Sequence, residues 1–277
     1  MPHKILYGFV LLFFAGLFIG CTRLDGAYNF KEEFHDPIVA EDGKAFGKNN
    51  QLTFELFRGG TFLIDGFSGF ALQKSDSYRD SAIIRSTQHL PKKYKVSVVI
   101  GQINYDLKNI ENYNRDQEYR EGPKNENGCY LIAITDQAPT EHYTNDWWHQ
   151  HRKLVIDVDN NVWGHGMPNP IFMVYFDENN ELVSYNGGTD KWEFNWVKGV
   201  EYQKDAWYKI EIEKTTYEYV LSVSDDKGIL LEQSRVPIDE VWHTEKKYQE
   251  YFVTGEPHEN YYEGDYKIRS IEIKSID

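Results

Sequence analysis

The chain is predicted to be all β, with two antiparallel sheets packed face to face, and three observations carry that expectation. Helical periodicity is scarce after Cys21. Short apolar or alternating runs separated by Gly, Asn and Asp recur along the rest of the chain instead. Aromatic residues make up 16% of the chain, with 20 Tyr and 7 Trp, and aromatic side chains favour pleated surfaces.

Taken in order, the runs that read as strands are 53–56, 70–73, 82–86, 94–105, 129–135, 152–158, 171–176, 207–214, 217–224, 229–236, 248–254 and 267–274. Roughly a dozen strands at this spacing suit two packed sheets better than a small closed barrel. The best-defined piece is 207–214, then Thr215-Thr216, then 217–224, then Asp225-Asp226-Lys227-Gly228. Tyr208, Ile210 and Ile212 share one face there, and the loop residues mark two successive hairpins. Between the strands, 108–127 is polar and strand-poor and 137–149 is an aromatic loop. Connections of that length are usually functional or mobile.

The ends bound the domain. Lys4 supplies a positive start, residues 5–19 are almost wholly apolar, and Gly20-Cys21 follows at the small-residue position where export signals are cut. A spanning helix needs about 20 apolar residues, and this shorter run is interrupted by Gly8 and Gly16. Residues 1–20 therefore read as a signal peptide. The stretch Leu17-Phe18-Ile19-Gly20-Cys21 resembles the bacterial lipoprotein signal, which implies acylation of Cys21 and a bacterial cell envelope location, lipid-anchored, either periplasmic or surface-exposed on the outer membrane. Cys129 is the other cysteine, so no disulfide can form within the chain from residue 22 onward and stability must come from burial. Residues 21–277 are expected to form a single domain, because β-sandwiches often reach about 250 residues as one unit.

The net charge is −14, with 44 acidic against 30 basic residues spread along the sequence. Such a surface repels nucleic acid and anionic lipid, so no nucleic-acid partner is expected. The aromatic excess also has a functional side, since these rings stack on sugars.

The hairpin from Trp207 to Gly228, together with the last strand Asp265-Tyr-Lys-Ile-Arg-Ser-Ile-Glu-Ile, resembles the C-terminal half of the concanavalin A-like lectin and glucanase superfamily, including its laminin-G-like branch. That resemblance implies an antiparallel jelly-roll sandwich whose long loops border a concave face that accepts an oligosaccharide. A second resemblance lies in Gln102-Ile103-Asn104-Tyr105, which is similar to the Gln-Ile-His signature of the jelly-roll alginate lyases, with Asn104 standing where those enzymes place histidine. Alternation would turn Gln102 and Asn104 toward the same face as Val96, Val98 and Ile100 unless a bulge intervenes.

The densest cluster of chemistry-bearing residues is Asp146-Trp147-Trp148-His149-Gln150-His151-Arg152-Lys153, which leads directly into a strand. If Leu154 and Ile156 face the core, alternation puts His149, His151 and Lys153 on the opposite face. Two imidazoles so spaced can share a metal or move a proton near neutral pH, or the Trp pair can simply pack a loop onto the sandwich. A lyase needs a base for the C5 proton and a cation for the uronate carboxylate; His149, His151, Tyr105 or Tyr261, and Arg85 or Arg152, are the candidates. Substrate contacts are expected from Gln102, Asn104, Trp147, Trp148, Lys153, Tyr261 and Tyr262. Retaining hydrolysis needs two carboxyl groups about 5 Å apart; Glu211 and Glu213 share a strand face, where acids on an outer surface are the ordinary explanation. Residues 255–265 mix carboxylates, an amide and glycines that can hold a structural Ca2+ ion, although the spacing is not that of an EF-hand. The expected function is an envelope-anchored lipoprotein, a monomer, that binds or processes an extracellular glycan. A polysaccharide lyase and a laminin-G-like protein-docking module stand as the alternatives, to be separated by whether a long groove or a flat apolar patch is exposed.

Overall fold

The computed structural model describes residues 28–57, 59–74, 81–104, 129–136, 153–162, 165–178, 181–183, 206–238, 249–256 and 265–276. Seventeen strands and one short 3-10 turn lie among them. In chain order the strands are β1 (Asn29–Glu32), β2 (Ile38–Val39), β3 (Ala45–Phe46), β4 (Leu52–Phe57), β5 (Thr61–Ile64), β6 (Ala71–Lys74), β7 (Ser81–Ser86), β8 (Tyr94–Asn104) and β9 (Cys129–Thr135). They continue with β10 (Lys153–Val162), β11 (His165–Glu178), β12 (Glu181–Val183), β13 (Trp207–Lys214), β14 (Glu218–Asp225), β15 (Leu230–Pro237), β16 (Tyr251–Glu256) and β17 (Asp265–Ser275).

All pairings are antiparallel and fall into two sheets. The first runs β15-β14-β13-β8-β17-β6-β5-β2, with β1 also on β17; the second runs β12-β11-β10-β9-β16-β7-β4-β3. Each sheet turns one face inward. On the first, Val96, Val98 and Ile100 of β8 lie beside Ile212, Ile210 and Tyr208 of β13, and all are buried. On the second, Leu52, Phe54, Ala82, Ile84, Ile132, Ile134, Leu154 and Phe252 close the same core. Burying one such aliphatic or aromatic side chain contributes roughly 1.5–3 kcal/mol.

Each of the twelve expected strands is present, and β13 has its expected bounds of 207 and 214. Five further strands were not anticipated: β1, β2, β3, β5 and β12. Strands of two to four residues hold at most two turns of a period-2 pattern, too little to show alternation. In β5, Phe62 and Ile64 face the core while Leu63 is exposed, so the apolar residue on the outside hides the period.

Two bulges matter for the site. Ile268 pairs with Ile100 and Ser270 with Val99, which makes Arg269 an extra residue in β17 and lets Ile268 and Ile271 both face the core. Asp265 pairs with Asn104 and Lys267 with Gly101, so β8 carries one extra residue between Gly101 and Asn104. A bulge thus does intervene where Gln102 and Asn104 would otherwise continue the inward row.

Candidate functional site

The outward face of the second sheet brings polar and aromatic side chains onto β4, β7, β16 and β9. Alternation assigns them: Ala82 and Ile84 belong to the core, so Ile83 and Arg85 lie on the other side, with Val253 and Tyr251 of β16 and Ala133 and Thr135 of β9. Register sets two rows across the strands. One runs Thr53, Arg85, Val253, Ala133, Val155, and the other runs Tyr251, Thr135, Lys153.

Arg85 is completely buried on this face. Its Nη2 donates to Oε2 of Glu55 at 3.1 Å and its Nε lies 2.8 Å from Oε1, a buried ion pair. Glu55 sits diagonally across β4, because Arg85 pairs with Thr53 and Ile83 with Glu55. Of the two cations considered for neutralising a uronate carboxylate, Arg85 is therefore already compensated from within the sheet. Gly255 fits the same face tightly: at φ 130°, a Cβ there would come within 2.3 Å of the Ala82 carbonyl oxygen. Tyr251 is buried, and its hydroxyl donates to Gln249 at 3.3 Å. Beside it, burial and then the neighbouring Tyr251 push the Tyr28 hydroxyl up to about 12.

The register also locates the roots of the candidate loops. Lys153 opens β10 opposite Thr135, and Thr135 lies opposite Tyr251. The segment carrying Trp147, Trp148, His149, His151 and Arg152 thus leaves and returns beside the Tyr251-Thr135-Lys153 row; those five residues lie outside the described residues. Glu250, next to Tyr251, accepts a hydrogen bond from Tyr94 at the start of β8, which fixes this row at the Tyr94 end of the sandwich. Gln102 and Asn104 lie at the other end of β8, and Asn104 pairs with Asp265. Tyr105, Tyr261, Tyr262 and Cys21 lie outside the described residues, but Tyr105 follows Asn104, and Tyr261 and Tyr262 fall between Glu256 and Asp265. Tyr94 and Asn104 are ten residues apart in β8, about 33 Å at ~3.3 Å per residue. The histidine-bearing segment is rooted on β9 and β10 at the Tyr94 end of the sandwich, and the Gln102-Asn104-Tyr105 segment at the Asn104 end.

Glu211 and Glu213 occupy the outward face of the first sheet. Glu211 accepts from Lys209 at 2.7 Å and from Ser97 at 2.9 Å, and Glu213 pairs with Lys95 at 2.8 Å. Burial works to raise the Glu211 carboxyl, yet the hydrogen bonds from Lys209 and Ser97 and the charges of Lys209 and Lys95 hold it below the ordinary value. An acid so held stays ionised, which suits an ion-pair ladder and not a proton donor. Among the described residues no group of three or more His, Cys, Asp or Glu side chains is placed to hold a metal ion. Most of the loop considered for Ca2+, residues 257–264, lies outside the described residues.

Glu55 and Glu250 were not singled out from the sequence. Glu55 had a legible signal: a lone charge in the apolar run Thr-Phe-Glu-Leu-Phe, matched by Arg85 in Ala-Ile-Ile-Arg-Ser. Glu250 lies in Tyr248-Gln-Glu-Tyr-Phe, where nothing distinguishes it from a surface acid.

No protein-family model and no curated protein sequence matches the chain. Solved structures do match in fold. Peanut lectin with a 9-mer peptide superposes with a TM-score of 0.56 at 10% identity, over 91% of this chain and 98% of the lectin. The VIP36 exoplasmic/lumenal domain in its Ca2+/Man2-bound form gives a TM-score of 0.54 at 11% identity, over 89% of this chain and 90% of that domain. Winged bean acidic lectin complexed with methyl-α-D-galactose gives 0.51 at 10% identity, over 90% of this chain and 98% of the lectin. The VIP36 domain has been solved both with Ca2+ and metal-free. Together with the two antiparallel sheets, these likenesses identify the fold as a concanavalin A-like jelly-roll sandwich.

Proposed function

We propose that this chain is a carbohydrate-binding module, exported and held at the bacterial envelope through an acylated Cys21, that grips an extracellular glycan with the loop rooted on the Tyr251-Thr135-Lys153 row. The observation that carries this reading is the register of that row. It joins a buried aromatic and a threonine to the strand that opens directly after Trp147, Trp148, His149 and His151. Aromatic faces beside polar groups are what a sugar ring needs, since one side of the ring is apolar and its rim is hydroxyl. The solved lectins of this fold, two of them with a mannose saccharide or a galactoside bound, add support by analogy.

Binding is favoured over cleavage. A uronate lyase would have to unite His149 or His151 and Arg152 with Tyr105, whose segments are rooted at the Tyr94 and Asn104 ends of the sandwich respectively. It would also need an uncommitted cation, whereas Arg85 is engaged by Glu55. The role proposed for this chain is therefore capture. A glycan array probed with the chain from Thr22 onward tests the reading. Retention of a defined set of saccharides is expected; absence of binding across neutral, uronate and sulfated glycans would overturn it.

A further inference from the structure

The outward face of the first sheet carries exposed apolar side chains at its β2-β5-β6 edge. Val39 pairs with Leu63 and Leu63 with Leu72, so register sets the three in one row across the strands. Phe62 and Ile64 take the core side, which leaves Val39 66% and Leu63 51% exposed on the other. The turn after β5 adds Phe67, 96% exposed. That turn is held from both sides. The Asp65 carboxylate accepts from the amides of Phe67 and Ser68 and from the Ser68 hydroxyl at 2.7–2.8 Å. Gly66 packs so closely on the stretch after β1 that an added Cβ would come within 2.6 Å of the Pro37 nitrogen. A fixed turn thus holds an aromatic ring out in solvent beside an apolar row, the kind of surface that marks a protein or membrane contact.

The start of the described chain lies on the same side of β17 as this row. β1 pairs with residues 271–274 of β17 and β6 with residues 266–268. The Tyr28 amide donates to Ser275, and Ala71, next to the turn that carries Phe67, pairs with Ile268. Seven residues of β17 separate these two points, about 23 Å at ~3.3 Å per residue. Cys21 comes seven residues before Tyr28, a span of at most about 24 Å. An acyl chain on Cys21 would therefore keep this edge of the first sheet within reach of the bilayer. The other exposed apolar group among the described residues, Ile229, Leu230 and Leu231, lies at β15, five strands from β6 and about 24 Å across the sheet at ~4.8 Å per strand. Charge narrows the occupant further. The groove of about 560 Å³ along the row has Asp65 as its single charged lining residue, on a chain of net charge −14, so an uncharged or zwitterionic surface is accepted and an anionic one repelled.

We infer that Phe67 and the Val39-Leu63-Leu72 row form a face that seats on a zwitterionic phospholipid surface, an inference that rests on the reading of Cys21 as acylated. The anchor holds the domain at the membrane, and the apolar face fixes its pose there. The pose has a consequence for glycan capture. The two sheets are packed face to face, so seating the outward face of the first on the bilayer turns the outward face of the second, with the Tyr251-Thr135-Lys153 row, toward the medium.

Hydrogen exchange tests the inference, on the chain from Cys21 onward carrying Cys129→Ser and coupled through Cys21 to maleimide-bearing phosphatidylcholine vesicles. Coupling supplies the tether whether or not the cell acylates Cys21, and the mass of the chain isolated from cells reads acylation separately. Relative to the uncoupled chain, the amides of residues 66–70 are expected to exchange at least about fivefold more slowly, and those of 226–231 at an unchanged rate. Phe67→Asp should return 66–70 to within about twofold of the uncoupled chain, and Leu63→Asn should reduce the slowing. Both positions are exposed, and an unchanged near-ultraviolet dichroism spectrum confirms that each variant is folded. Sedimentation of the uncoupled chain is expected to show a monomer. No slowing at 66–70, equal slowing at 226–231, slowing that survives both substitutions, or a dimer in free solution that Phe67→Asp dissociates, overturns the inference.

Discussion

The hydroxyl of Tyr94 donates to Oε2 of Glu250 at 2.7 Å, although the two residues are 156 positions apart and belong to different layers. Tyr94 opens β8 in the first sheet, and Glu250 precedes β16 in the second. The other oxygen of Glu250 accepts from Tyr219 at 2.8 Å and is paired with Lys214. One carboxylate thus ties three strands of the first sheet to the strand that presents Tyr251.

Glu250→Ala is expected to destabilise the domain by about 3–5 kcal/mol, because it leaves Lys214 and two buried hydroxyls without their acceptor. Tyr94→Phe removes one hydrogen bond along with its donor and should cost about 1 kcal/mol. Urea unfolding of the two variants checks the order; a Glu250→Ala variant as stable as Tyr94→Phe would show that the clamp contributes no more than one bond.

Alkaline pH should unfold the protein through its buried tyrosines. Burial and the adjacent Glu250 raise the Tyr94 hydroxyl well above 10, and burial with Tyr251 raises Tyr28 to about 12. The folded state therefore holds these protons more tightly than the unfolded state does. The stabilisation is complete below pH 10 and is lost as the pH rises toward 12 and beyond. Melting temperature measured from pH 8 to 12 should stay flat and then fall, and Tyr28→Phe should make the fall shallower.

Much of the fold was legible because the strands of the first sheet alternate cleanly. Ile210, Ile212, Val96 and Val98 show their period in the sequence, and all four are buried. The bulge at Arg269 was not legible, since Ile268 and Ile271 are spaced as no straight strand allows. The candidate site was legible only in part. Composition pointed to Trp147, Trp148, His149 and His151, yet it could not tell which end of the sandwich they leave from. That depends on the pairing of Thr135 with Lys153 and on the Glu250 clamp, both contacts between distant positions. Arg85 looked like a groove cation because a strand pattern does not reveal that Glu55 lies diagonally opposite.

Glu55→Ala should be costly for the same reason. It removes the carboxylate paired with the fully buried Arg85 guanidinium, and a loss of about 3–5 kcal/mol is expected. Replacing both, as Glu55→Leu with Arg85→Met, should restore most of that stability. A double variant no better than Glu55→Ala alone would mean that the pair itself, and not its neutrality, supports the face.

Gly101→Ala should disturb the cation-aromatic stack on the first sheet. An added Cβ would fall 2.7 Å from the Trp207 ring and 2.6 Å from the Ala206 carbonyl oxygen, so the ring must shift from beneath Arg269. A destabilisation of about 1–3 kcal/mol is expected, with altered near-ultraviolet dichroism from the displaced indole. An unchanged spectrum and stability would contradict the packing described.

Glycan affinity of paired variants decides between the two ends of the sandwich. Once an array has supplied a ligand, calorimetry on Trp147→Ala with Trp148→Ala is predicted to show a loss of at least about tenfold. Tyr261→Ala with Tyr262→Ala, rooted at the Asn104 end, should stay within about twofold of the parent. The opposite pattern, with the tryptophan pair silent and the tyrosine pair essential, would contradict recognition at the Tyr251-Thr135-Lys153 row.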